Sequence, residues 1–110
     1  MASPSTPLLQ GTLDLIVLQL LHASPTNGYD LALRIQAATS DVLAVPAGSL
    51  YPALYRLEQR GLIRGAWQAT ESGRRAKVYS VTRAGLRYLS DQREAWHRFS
   101  GALSAILRVS

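Results

Sequence analysis

The hydrophobic period of this chain changes twice. Up to Gly61, apolar residues recur at the three- and four-residue spacings of amphipathic helices. From Leu62 to Val81 they give way to two short runs rich in β-branched and aromatic residues (Trp67, Val78, Tyr79, Val81), separated by the turn signal Thr70-Glu-Ser-Gly73; from Thr82 the helical spacing returns. A helix-period pattern does not settle as a strand, nor the reverse. The chain is therefore predicted to fold as helix, helix, helix, two-stranded ribbon, helix. With 110 residues, 47% apolar and 17% charged, it has the makings of one domain with a real core.

The local signals give boundaries. Residues 1–9 are Ser/Pro-rich and read as a flexible arm. Thr12 is an N-cap candidate, with Asp14 in the first turn where the helix dipole favours an anion. Leu13, Ile16, Val17, Leu20 and Leu21 follow, and Leu15 and Leu18 widen the stripe until Ser24-Pro25 ends it. Thr26 or Asn27 caps a short second helix with Leu31, Ala32 and Ile35 inward. Residues 38–46 read as a connector in which Val42, Leu43 and Val45 form a short strand. A third helix spans about 47–60 with Leu50, Leu54 and Leu57 buried, and Gly61 stops it. Strands are expected over roughly 62–68 and 75–81, and a last helix, capped by Thr82, over 83–107. The fold class is α+β, mostly α: a winged helix-turn-helix over residues 10–82, with residues 83–110 a long C-terminal dimerisation helix.

Charge is concentrated on the same elements. Between Arg56 and Arg87 lie eight of the 12 basic residues against Glu58 and Glu71 alone, which puts that third of the chain at +6 and leaves the remainder at −1. A surface that binds phosphates has such a local excess, whereas a general solubility charge is spread out. Other chemistry is poorly provided for. There are no cysteines, and His22 and His97 are 75 positions apart; neither a metal site nor a cofactor is expected. No nucleophile elbow, phosphate loop or carboxylate pair is present, so an enzyme is not expected. The longest apolar stretch, Leu13 to Leu21, is too short to span a bilayer. No signal region opens the chain, so a cytoplasmic protein, held at the bacterial nucleoid, is expected.

Candidate DNA contacts follow from the helical wheel. Opposite Leu50, Leu54 and Leu57 stand Gly48, Pro52, Tyr55, Arg56 and Gln59, with Ser49 and Tyr51 at the flanks. A recognition helix presents its first turns to bases. Ser49 and Tyr51 have hydroxyls for a phosphate or base edge, and Arg56 suits a guanine edge or a phosphate. Pro52 lacks an N–H, which the first turn tolerates, so the helix is expected to start near 47–49. Tyr55 belongs either to this face or against the wing. In the ribbon, Arg74, Arg75 and Lys77 flank the turn and suit phosphate or minor-groove contact, with Lys77 closer to a rim position. In the last helix Leu89, Gln92, Trp96, Phe99, Leu103 and Ile106 make a stripe longer than one small domain can cover. Together with the first helix, at Leu13 and Ile16, it is expected to build a two-fold homodimer interface; the alternative is that the helix folds back on its own domain.

Six segments carry a resemblance. Leu9-Gln-Gly-Thr-Leu-Asp-Leu15, Asn27-Gly-Tyr29, Gly48-Ser-Leu-Tyr-Pro-Ala-Leu-Tyr-Arg-Leu-Glu58, Arg60-Gly-Leu-Ile63, Arg74-Arg-Ala-Lys-Val-Tyr79 and Thr82-Arg-Ala-Gly85 closely resemble the PadR family of bacterial transcription regulators, in its order and spacing, over about residues 8 to 88. The chain looks like the family's short form, with a single C-terminal helix. The resemblance implies a dimeric winged-helix protein, usually a repressor, that binds double-stranded DNA at a near-palindromic operator, with Tyr51 on the DNA face. It also implies that Trp96 either lines an effector pocket for a flat aromatic molecule at the dimer seam or is an ordinary seam aromatic. A winged-helix protein-interaction module and a non-specific architectural DNA binder are the competing functions.

Overall fold

The computed structural model describes residues 7–108. Its elements run α1 (Pro7–Ala23), β1 (Thr26–Asn27), α2 (Gly28–Ala38), α3 (Ala47–Gln59), β2 (Ile63–Ala69), β3 (Arg75–Val81) and α4 (Arg83–Arg108). This is the predicted order with one addition. Thr26 and Asn27 form a third strand antiparallel to β3, opposite Tyr79 and Val78, so the sheet order is β1-β3-β2. Two residues carry too little pattern to be read as a strand.

Two local expectations are corrected. α1 starts at Pro7, not at a Thr12 cap. Leu8, Leu9 and Gln10 are good helix formers, and proline is suited to a first helical turn, so the helix extends back over the last three residues of the expected arm; residues 1–6 lie outside the described residues. The expected strand at Val42, Leu43 and Val45 does not form. Thr39 closes α2 instead: its hydroxyl donates to the Ile35 carbonyl (2.9 Å) and accepts from the Leu43 amide (3.0 Å). Ser40 and Asp41 follow with φ of 50° and 66°. That left-handed turn leaves Val42 exposed, with no strand beside it.

The other ends follow their signals. Asn27 caps α2, its Oδ1 accepting from the Asp30 amide at 2.8 Å while its Nδ2 donates to the Asp30 carboxylate at 3.1 Å. Arg34 donates to the Leu20 and Ser24 carbonyls at 2.7 and 2.8 Å, covering the C-terminal end of α1. Gly61, at φ 73°, ends α3: its amide reaches the Glu58 carbonyl and that of Leu62 the Leu57 carbonyl, both at 3.0 Å. Thr82 caps α4 through the Gly85 amide (3.0 Å) and donates to the Gly61 carbonyl (2.6 Å).

One core joins these elements. Val17, Leu18 and Leu21 of α1, Leu31 and Ile35 of α2, Leu50, Leu54 and Leu57 of α3, Leu62, Ile63 and Tyr79 of the ribbon and Leu89 of α4 are all buried. Each fully buried leucine contributes about 1.5–3 kcal/mol relative to exposure. Beyond Leu89 the core stops and α4 does not. Twenty-six residues give it a length of about 39 Å, and the molecule is drawn out to 56 Å.

Candidate nucleic-acid interface

Burying Leu50, Ala53, Leu54 and Leu57 turns the opposite side of α3 outward. Ser49, Tyr51, Pro52 and Tyr55 are exposed there, as the wheel predicts. Tyr55 is the more exposed of the two tyrosines, with 65% of its surface accessible. Pro52 is six residues into the helix rather than in its first turn. The carbonyl four residues back, on exposed Gly48, thereby loses its usual helical donor. Tyr51 leans on the start of α2: a Cβ built on Gly28 would lie 2.6 Å from its Cε1 and 2.8 Å from its hydroxyl. The bare Cα of Gly28 is what lets the ring lie there.

Two cations expected at the interface are engaged elsewhere. Arg56, expected at a guanine edge or a phosphate, donates to Asp14 of α1 at 3.2 Å. The carboxylate is nearly enclosed, and its burial raises the Asp14 pKa above the ordinary 3.8 although Arg56 and Arg60 oppose the shift. Lys77 is held by Glu58 of α3 at 3.0 Å, and that hydrogen bond raises its pKa. Its chain crosses Gly65, where a Cβ would come within 2.4 Å of the lysine Cε, and its ammonium lies 5.4 Å from the centre of the Tyr79 ring. Both partners lie 19 or more positions away in the sequence, so no local pattern announces them. Each ties α3 to a neighbour: Arg56 to α1, Lys77 to the wing.

The ribbon runs from Ile63↔Val81 to Ala69↔Arg75 in continuous antiparallel register. At its tip the Thr70 amide donates to the Arg74 carbonyl (2.7 Å) and that of Gly73 to the Thr70 carbonyl (2.9 Å), with Gly73 at φ 83°. Arg74 and Arg75 project into solvent beside this turn. The Arg75 guanidinium stands 5.7 Å from the ring of Trp67, an exposed side chain that the strand pattern alone does not single out for function. Lys77 thus links the strand that carries this cationic tip to Glu58 of α3.

A second surface lies along α4. Trp96, Phe99, Leu103 and Ile106 are exposed, and the Trp96 and Phe99 rings meet at 5.8 Å between centroids. Leu89, expected in the same seam, is only 2% exposed and is used by the chain's own core. Leu13 and Ile16 of α1 are partly buried against that core. A groove of about 390 Å³ opens between α1, α2 and α4, walled by Leu15, Ile16, Leu20, Ile35 and Trp96. No helix among the described residues is long and apolar enough to cross a membrane.

Three helices, a short capping strand, a basic hairpin and a projecting last helix define a winged helix-turn-helix regulator. The relatives agree. The chain is 36% identical over 78 residues to a transcriptional regulator of Mycobacterium tuberculosis, covering 71% of this chain and 72% of that one. It superposes on a PadR-like transcriptional regulator from Bacillus cereus with a TM-score of 0.83 at 27% identity, covering 96% and 100% of the two chains. A PadR family transcriptional regulator from Eggerthella lenta gives 0.76 at 32% identity over 92% and 86%. Residues 17–91 match the transcriptional regulator PadR-like family, and the chain belongs to that family. Its members are DNA-binding transcriptional regulators, not enzymes.

Proposed function

We propose that this protein is a homodimeric, ligand-responsive repressor that binds a near-palindromic operator. What carries the reading is the joining of the exposed α3 face to the cationic wing tip through the 3.0 Å Lys77–Glu58 pair. In this reading Ser49, Tyr51, Pro52 and Tyr55 enter the major groove, Arg74 and Arg75 reach the backbone or the minor groove beside it, and Arg56 and Lys77 act chiefly as braces. Two copies join along α4 at Trp96, Phe99, Leu103 and Ile106, with Leu13 and Ile16 of α1 at the edge. An isologous interface covers the apolar stripe that one domain leaves open and places two recognition helices about 34 Å apart, one turn of DNA. A flat aromatic effector sits at the seam against Trp96. The protein works in the bacterial cytoplasm, at the nucleoid.

Salt-titrated binding to the duplex upstream of its own coding sequence and to a random duplex tests this. If the dimer neutralises about 6–10 phosphates, affinity falls by roughly three to five decades between 50 and 200 mM salt. Preference for the upstream duplex should persist throughout. A ratio near one indicates an architectural binder, and no binding at low salt a protein-interaction module.

A further inference from the structure

The exposed indole of Trp67 has no part in the core. Its strand position pairs it with Lys77, and Arg75 pairs with Ala69 two positions nearer the tip. Directly opposed residues, and those two apart along a strand, share a face. Trp67 and Arg75 are therefore diagonal neighbours on the face that also carries Lys77, and the Lys77–Glu58 pair joins that face to α3. Lys77 leans inward across Gly65, which leaves the outer part of the indole uncovered. Trp67 keeps 61% of its surface exposed, and the Arg75 guanidinium is drawn over the ring at 5.7 Å.

We infer that Trp67 is a DNA-positioning residue of the wing. It holds the Arg75 guanidinium extended over an aromatic face and is itself covered by the deoxyribose edge when the wing docks on duplex DNA. An arginine stacked on a rigid ring loses less rotamer freedom when it meets a phosphate than one on a free strand. Because Lys77 is paired, Arg74 and Arg75 supply the cationic charge at the tip, so fixing one of them matters. The inference rests on the DNA-binding reading above and adds a residue to it.

The test compares the unaltered protein with W67A, W67F, R75A and the W67A/R75A double variant on one duplex between 50 and 200 mM salt. W67A should bind about tenfold more weakly when two wings are engaged, with an unchanged salt slope because no cation is lost. W67F should recover most of that. R75A should weaken binding and lower the slope by about 0.9 per lost phosphate contact, and the double variant should be worse than R75A by clearly less than the W67A factor. Native-like affinity in W67A, or W67A and R75A effects that simply multiply, overturns the inference. Should W67A fold poorly, the full chain labelled with 5-fluorotryptophan decides. It has two tryptophans; W67F assigns the Trp67 fluorine resonance, which should shift on adding duplex, and an unmoved resonance overturns the inference. If the unaltered protein retains no duplex at 50 mM salt, the DNA-binding reading itself has failed, and this inference with it.

Discussion

The ring of Tyr51, on α3, lies on the Cα of Gly28, the first residue of α2, so closely that a Cβ there would be 2.6 Å from the ring. The two halves of the helix-turn-helix thus meet at a glycine and a tyrosine that the Asn27-Gly-Tyr29 and Gly48-to-Glu58 segments bring from 23 positions apart. G28A should push the ring aside rather than disturb the backbone, since only the far end of a side chain is in the way. Stability should change by about 1 kcal/mol or less, while duplex affinity drops about tenfold. Combining G28A with Y51A should cost no more affinity than Y51A alone; thermal melts and duplex titrations read both quantities.

Gly85 presents the opposite case. A Cβ there would lie 2.0 Å from the backbone carbonyl oxygen of Leu62 and 2.7 Å from Val81 Cγ1. No rotamer relieves a clash with main chain, so α4 must move off the sheet. G85A should lose about 3 kcal/mol and melt roughly 10 °C or more below the native protein. A native-like melting curve would show that α4 does not dock this tightly.

Asp14 makes the pH dependence unusual for a paired carboxylate. Burial raises its folded-state pKa above 3.8 more than Arg56 lowers it. The folded chain therefore keeps this proton to a higher pH than the unfolded chain does, and stability from this group falls as pH rises from 3.8 through the folded value, then stays constant. D14N should remove that fall, which urea unfolding between pH 3.5 and 7 measures. The amide oxygen that D14N leaves at this position can still accept from Arg56, so the brace is kept and duplex binding by D14N should hold.

Along α4 the division falls between Leu89 and Trp96. Leu89 is 2% exposed and Trp96 is 40% exposed. L89D buries a charge in the protomer core and should unfold it. W96D/L103D should stay folded by circular dichroism yet sediment as a monomer; a dimer surviving that pair of changes places the interface elsewhere.

The order of elements, the buried line Leu50-Leu54-Leu57, a cap at Thr26 or Asn27 and another at Thr82, the stop at Gly61 and the turn at Gly73 are legible in the sequence. Each depends on residues within about four positions of one another, where backbone hydrogen bonding and side-chain period act directly. The outward face of α3 follows from the same period. Tertiary structure decided the rest. Pairing Arg56 with Asp14 and Lys77 with Glu58, burying Leu89 but not Trp96, and adding Thr26–Asn27 to the sheet all depend on which distant groups arrive within a few ångströms. Charge attraction and close packing act over that distance in space, whatever the separation along the chain. A one-dimensional pattern shows which side of an element is polar, but only the folded chain shows which of its cations already have partners.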